Sequence, residues 1–269
     1  MRVYAMYFSG TGTTERAVTT LAEALSGHLG CPMERFDFTP PDARKELAVF
    51  RAGDLVVLGV PVIAGRVPNL LLKYLDTVQG GGALGVPVVL FGNRSYDDAL
   101  IELRDIMERD GFRTVAAGAF AGEHSFSRTL GQGRPDTEDL AQIRDFAGQL
   151  AEKLKQDHWE SPISVRGETP LRPYYTPRDR NGNGIDIRKV KPKTSETCTK
   201  CGWCARTCPL GSISPDNPTI ISDICMKCCK CVKGCPQDAK YFDDPGYLYH
   251  KEELEAMYGG YRAENEVFL

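Results

Sequence analysis

The sequence predicts an α/β fold, a doubly wound parallel sheet followed by a smaller α+β unit. Three observations carry the prediction. Short apolar runs alternate with segments of helical period through residues 1–157. A polar, glycine-containing loop, Ser9-Gly10-Thr11-Gly12-Thr13-Thr14, joins the first apolar run to the first helical segment. Nine of the ten cysteines lie between Cys198 and Cys235, so they belong to one local site and not to a framework stapling the whole chain.

Each element has its own signal. Residues 2–8 are almost continuously apolar and read as a strand; residues 16–29 carry Ala17, Leu21, Ala24 and Leu25 at helical spacing. Residues 33–38 give a second strand and 43–50 a helix. Residues 54–61 form a third strand whose unbroken aliphatics mark it as buried on both faces. A helix at 70–75, a fourth strand at 86–91, and a helix at 97–110 with Leu100, Leu103, Ile106 and Met107 on one face come next. A fifth strand at 113–121 and a helix at 137–155 close the unit.

From 158 to 192 the periodicity stops at repeated Pro and Gly, giving a linker. It packs on its neighbours, since Trp159, Tyr174 and Tyr175 are costly to expose. Asp179-Arg180-Asn181-Gly182-Asn183-Gly184 resembles the start of a calcium loop but has Val190 at the twelfth position, so a turn is expected. Residues 193–247 form the cysteine unit, and 248–269 a tail with a short helix at 251–258 and a terminal Val-Phe-Leu hook.

Composition narrows the function. A chain of 269 residues holds about two domains, and its net charge of −3 argues against a nucleic-acid platform. No apolar run is long enough to span a membrane, residues 1–8 are too short an apolar segment and lack the cleavage pattern expected of a secretory signal, and the local use of cysteine leads us to expect a reducing cytoplasm.

The cysteines form a duplication. Cys198, Cys201, Cys204, Cys208-Pro209 is repeated 27 residues later as Cys225, Cys228, Cys231, Cys235-Pro236, each run reading C-x2-C-x2-C-x3-C-P. Three thiolates at every third residue wrap one 4Fe-4S cluster, and the fourth of each run reaches the other cluster. One cluster is therefore expected on Cys198, Cys201, Cys204 and Cys235, and the other on Cys225, Cys228, Cys231 and Cys208. Zinc sites pair C-x2-4-C units across a longer hairpin, and disulfide frameworks belong to small secreted chains. Cys229 has no place in the pattern and reads as a small buried residue.

The loop at residues 9–14 opens a helix, where amides and the dipole attract a phosphate. Only Gly10 and Gly12 match a dinucleotide fingerprint, with Glu15 in the third glycine's place. Ser9, Thr11, Thr13 and Thr14 instead supply hydroxyls suited to a terminal phosphomonoester held without cations.

On these residues the chain resembles flavodoxin, with Ser9-x-Thr11-Gly12-x-Thr14 in the place of that family's phosphate loop. The resemblance implies the strand order 2-1-3-4-5 and an FMN whose ring lies between Pro61-Val62-Ile63-Ala64 and Asn93-Arg94-Ser95-Tyr96-Asp97. Tyr96 is then the expected ring-stacking partner, and the first of these loops lacks the aromatic many flavodoxins place there. The whole chain resembles the flavodoxin-ferredoxin fusions of anaerobes, the ferrodoxin family, through the phosphate loop, both cysteine runs, Gly122-Glu123-His124-Ser125-Phe126-Ser127 and Gly133-Arg134-Pro135-Asp136.

A chain holding FMN and two 4Fe-4S clusters converts between one- and two-electron chemistry. The expected function is cytoplasmic electron transfer, with a redox protein such as a ferredoxin or a ferredoxin-dependent oxidoreductase exchanging electrons through the clusters. An alternative is an FMN-dependent reductase of a small molecule such as a quinone or nitro compound. His124, at the ligand end of the fifth strand, is the candidate proton donor, with Tyr96 beside it.

Overall fold

The computed structural model describes residues 1–156 and 160–269. Trp159 and the expected boundary between 157 and 158 lie outside the described residues. The first unit consists of β1 (Arg2–Tyr7), α1 (Thr13–Leu29), β2 (Met33–Asp37), β3 (Asp54–Pro61), α2 (Asn69–Leu75), β4 (Leu84–Phe91), α3 (Ala99–Arg109), β5 (Arg113–Thr114), β6 (Ala117–Ala121) and α4 (Thr137–Leu154). Beyond the linker come β7 (Lys193–Thr194), α5 (Trp203–Thr207), α6 (Lys230–Lys233), β8 (Lys240–Tyr241), α7 (Pro245–Tyr258) and β9 (Glu266–Phe268).

The main sheet runs β2-β1-β3-β4-β6-β9 with β5 also paired to β4, and every pairing is parallel except that of β9 with β6. Period-two alternation divides its side chains between two cores. Val3, Ala5, Leu55 and Val57 meet α1 and α4 through Leu21, Leu25, Phe146 and Leu150. Met6, Val56, Leu58 and Val60 meet α2 and α3 through Leu71, Leu100 and Leu103. Asp136 caps α4 by accepting from the Glu138 and Asp139 amides, a reciprocal box with Asp139; such a cap contributes about 1 kcal/mol.

Four expectations change. The fifth strand is two short pieces, β5 and β6, with Val115 and Ala116 between them turned into the core beside α4. The expected helix at 43–50 is one 3-10 turn, Asp42–Lys45, with no buried residue. Residues 47–50 are extended instead: Ala48 and Phe50 enter the core while Leu47 and Val49 are exposed, and Val49 bridges Gln79, so the apolar residues fall at a period of two and not of a helix. The tail helix begins earlier than expected, at Pro245, where Asp244 accepts from the Tyr247 amide and proline sits in the first turn. It therefore crosses the boundary expected at 247. The terminal hook is β9, paired to β6 through Ala117 and Phe268, which covers what would otherwise be an open sheet edge.

Among its described residues the linker has no helix or strand beyond the isolated Arg178–Gly184 bridge, yet it is fixed to the sheet unit. Arg172 forms an ion pair with the fully buried Asp98, Tyr174 donates to the Val67 carbonyl at 2.8 Å, and Ile163 enters the core. Residues 179–183 form a turn in which Asp179 Oδ1 accepts from the Asn181 and Asn183 amides. The cysteine-bearing segment is also continuous with the sheet unit: Met226 belongs to the same core as Met6 and Val60, and Leu210 and Cys228 pack against it.

Candidate functional site

At the carboxyl ends of the strands, between the sheet unit and the cysteine segment, lies a cavity of about 570 Å³. Thr11, Gly12 and Thr13 line one wall, Glu123, Arg128 and Gly133 to Pro135 a second, and Trp203, Lys230, Lys233 and Gly234 the third. Gly12, in the left-handed region at φ 91°, caps α1 without a side-chain bond, so the first amides of a 17-residue helix open toward the cavity. Ser9 lies buried beside this wall; its amide donates to Thr39 Oγ1 at 2.8 Å. Its own Oγ is, with Tyr74 OH, one of two buried side-chain oxygens lacking a partner among the described residues.

Cations surround the loop, contrary to the expectation of a phosphate held by hydroxyls alone. Arg16, one turn into α1, lines the cavity with Arg128, Lys230 and Lys233. Lys233 Nζ donates to Glu123 at 2.5 Å and to the His124 carbonyl at 2.8 Å. Burial pushes the Glu123 carboxyl up, but Lys233 and the Gly133 amide outweigh it and the net shift is downward. Glu123 is thus an anion already matched, leaving Arg16 and Lys230 to face the cavity.

The loops expected to hold a ring are elsewhere engaged. Tyr96 is almost fully buried, donates to Glu266 at 2.6 Å, and has the Arg166 guanidinium 4.6 Å above its ring. It does not line the cavity, so the stacking and catalytic roles expected of it have no geometry to rest on. Asn93 is buried and bonded to the tail through the Tyr258 and Tyr261 carbonyls, both at 2.9 Å. Arg94 and Asp97 pair with each other at 2.8 Å. Val62 and Ile63 pack against the core, and Ala64 accepts from the Tyr175 amide at 2.9 Å; Pro61 ends β3 beside Leu90.

Aromatic side chains of the chain itself gather around the ends of β4 and β6. Phe126 lies 4.7 Å from Tyr247, Tyr247 stacks on Phe242 at 4.1 Å, Tyr175 lies 6.1 Å from His250, and Arg94 sits 4.8 Å above Tyr175. His124 borders this group, 5.3 Å from Phe126, and its Nδ1 accepts from the Phe126 amide at 3.1 Å.

That acceptor bond requires a neutral ring. Burial first, then His250, Lys233 and Arg94 against the opposing Glu255, hold the His124 pKa down to about 4. A folded value below the unfolded one near 6.5 means stability is full above about pH 6.5 and is lost as pH falls toward 4. The loss should reach on the order of 2–3 kcal/mol. Urea unfolding of wild type and His124→Gln at about pH 7.5 and pH 5 checks this. Wild type should lose about 2 kcal/mol more than the variant over that interval, and equal losses would show that His124 does not titrate in this way.

Two smaller cavities are bordered by cysteines. One is lined by Cys198, Cys201 and Cys204 together with Cys235 from the second run. The other is lined by Cys225, Cys228, Cys229 and Cys231 together with Cys208 from the first. Burial pushes the Cys228 thiol up to about 12 and also raises Cys225, Cys231 and Cys204. Among the described residues no group of three or more His, Cys, Asp or Glu is gathered as for a single metal ion. Cys229 is buried, its Sγ 3.5 Å from Tyr247 OH, in the left-handed turn that starts α6.

The three cavities adjoin. Trp203 lines both the large cavity and that of Cys198; Lys230 lines both the large cavity and that of Cys225. Gly10 holds the loop against the cysteine segment, since a Cβ there would come within 2.9 Å of Cys228 Cβ. Arg44 joins the same two parts by donating to the Pro209 carbonyl. Arg16, Arg128, Trp203, Lys230 and Lys233 were not expected in this wall. Arg16 was readable as one helical turn from Gly12, whereas the others depend on how the two units dock.

No family model and no curated protein matches this chain. Among solved structures it is similar to a flavodoxin from the domain Archaea, at 15% identity over 58% of this chain and 100% of the other, TM-score 0.41. It is also similar to the flavodoxin of Streptococcus pneumoniae TIGR4, at 16% identity over 57% and 99%, TM-score 0.40. A third likeness is to the flavodiiron protein of Giardia intestinalis, at 19% identity over 56% of this chain and 36% of that one, TM-score 0.35. No helix among the described residues is long and apolar enough to cross a membrane.

Proposed function

We propose that this chain is an electron-transfer flavoprotein, in which two 4Fe-4S clusters held by the cysteine runs exchange electrons with FMN held at residues 9–14. The observation that carries this reading is the adjoining of the three cavities, two of them bordered by three thiols of one run and the fourth of the other.

The residues suit both groups. Cys225, Cys228 and Cys231 from a single loop with Cys208 from the other run are the donor set of a 4Fe-4S cluster, Cys229 lying on the same cavity outside that set, and iron offsets the burial that would otherwise keep Cys228 and Cys231 protonated. The phosphate end of FMN suits the partnerless Ser9 Oγ, the Thr11 and Thr13 hydroxyls, the open amides of α1 and the Arg16 guanidinium. When bound, the clusters pass single electrons and FMN supplies two-electron chemistry.

The chain's own part is positioning and exclusion. Thr11, Gly12 and Thr13 orient the phosphate, Gly10 packed on Cys228 keeps the second cysteine site against the loop, and Lys230 places a cation between them. Cys201 is exposed, with Lys200 and Arg206 exposed around it, so the first cysteine site is the entry for a redox protein with an acidic face.

The test is the visible and low-temperature EPR spectrum of anaerobically purified protein, with iron, sulfide and flavin counted. About eight irons and one FMN per chain are expected; zinc in place of iron, or absence of flavin, would overturn the reading. Rapid mixing with NADH or NADPH alone should give no fast bleaching, whereas addition of reduced ferredoxin should bleach the protein quickly. Fast bleaching by a nicotinamide would remove the need for a protein donor.

A further inference from the structure

We infer that the ring end of the bound nucleotide lies in the large cavity against Trp203, on the cysteine-bearing unit, and not between the loops that follow β3 and β4. The inference rests on the FMN reading above and assigns the contact that reading leaves open.

The space beyond the β3 and β4 loops is filled by the chain itself. Phe126, Tyr247, His250 and Tyr175 pack there in mutual contact, Arg94 covers Tyr175, and Tyr96 is buried under Arg166. A ring could enter only by displacing several mutually packed aromatics, each of which carries a large share of local burial. The loop at residues 9–14, by contrast, opens directly into about 570 Å³, within the usual range for a small-molecule site.

Within that cavity Trp203 is the one aromatic side chain on the walls among the described residues. It is partly exposed and packed on Gly234, so its indole is held in place with surface to offer. It lies between Cys201 and Cys204 in the first run, and it also lines the cavity those cysteines border. A planar ring reaching from the phosphate loop to this indole spans the cavity and ends beside the first cysteine site. Arg128 and Lys230 flank that path and match an electron-rich ring edge. The sheet-side wall has no aromatic of its own, so the second half of the site comes from the cysteine unit.

The test uses full-length, anaerobically prepared protein, freed of flavin and titrated with FMN under equilibrium dialysis. Wild type should bind FMN; Trp203→Ala should weaken binding roughly tenfold or more, and Trp203→Phe by less than about threefold. Because Trp203 adjoins Cys204, iron is counted in each variant. Arg128→Glu, at an exposed position that pairs with Asp238 and reaches the Val232 carbonyl, supplies a second reading, with iron counted again, and should weaken binding about threefold or more. In a Trp159→Phe protein, where Trp203 is the remaining tryptophan, FMN should further quench the indole emission. Wild-type affinity in both Trp203→Ala and Arg128→Glu, or no quenching, would overturn the inference while leaving FMN binding intact. No FMN binding by wild type would instead overturn the reading it rests on.

Discussion

Replacing Cys208 with alanine should remove about half of the iron, and the half that is lost should belong to the site of Cys225, Cys228 and Cys231. Cys208 lies in the other run, seventeen residues before Cys225, yet it is the thiol that closes this cavity. Cys235→Ala should give the mirror result and empty the site of Cys198, Cys201 and Cys204. The two variants are distinguishable because Cys201 is exposed whereas Cys228 is packed against Gly10 and the core. The remaining cluster should react with external oxidant quickly in Cys208→Ala and slowly in Cys235→Ala.

The structural cost of Cys208→Ala should be large as well. Residues 209–224 carry one isolated bridge, Ile213 to Ile221, and β7 and β8 are two residues each, so on the proposed reading cluster ligation would supply much of the order here. Without iron the buried thiols stay protonated among Leu210, Ile213, Ile221 and Phe242, and the segment between the two runs is left to the Ile213–Ile221 bridge and to bonds such as Ser212 Oγ donating to the Ile224 carbonyl at 2.7 Å. Limited proteolysis should cut within 209–224 at least tenfold faster than in wild type, a change of roughly 1.4 kcal/mol or more in local opening. Loss of iron from the wrong site, or equal protection of that segment, would refute the crossed assignment.

How much of this was legible in the sequence depends on the range of each interaction. Strands β1, β3 and β4 and helices α1, α3 and α4 announce themselves because their apolar spacing is local and their faces are buried. The stretch 43–50 is not a helix because Ala48 and Phe50 enter the core as alternate residues of an extended segment that Val49 bridges to Gln79, a pairing made far along the chain. The repeat's spacing expects Cys198, Cys201, Cys204 and Cys235 together and Cys225, Cys228, Cys231 and Cys208 together; each set lines one cavity, and Cys229, which the repeat leaves without a place, lines the second cavity as well. Of the loop at residues 9–14, Gly10, Thr11, Gly12 and Thr13 line the cavity, whereas Ser9 and Thr14 are buried and do not. The ring contacts were not legible, because Tyr96 and Asn93 are claimed by Glu266, Tyr258 and Tyr261, residues about 170 positions away. No local pattern encodes that docking. Trp203 and Lys230 face the cavity for the same reason.

Asn93→Ala should destabilise the fold by about 3–5 kcal/mol, although the resemblance cast this residue as a cofactor contact. Its side chain is 2% exposed and fully engaged. Nδ2 donates to the Tyr258 and Tyr261 carbonyls at 2.9 Å, and Oδ1 accepts from the Ala263 amide at 3.0 Å and from Arg134 at 3.4 Å. Alanine would leave these backbone groups without their partner in a closed interior, at about 1–3 kcal/mol for each group left unsatisfied. The backbone adds to the penalty, since φ is 61°, a region asparagine tolerates and alanine resists by about 1 kcal/mol. Asn93→Gly separates the two costs: it loses the same hydrogen bonds but accepts the backbone, so it should be about 1 kcal/mol milder than alanine. The tail should loosen in both, because the chain from Tyr258 to Ala263 leads directly into β9, and with it go the Glu266 contacts to Tyr96 and Arg166. Stripping β9 from β6 opens a sheet edge, so the variants should also aggregate more readily on mild heating. Urea unfolding gives the stabilities and carboxypeptidase release reports the tail. A loss under about 1 kcal/mol in Asn93→Ala, accompanied by weaker FMN binding, would return the residue to a cofactor role.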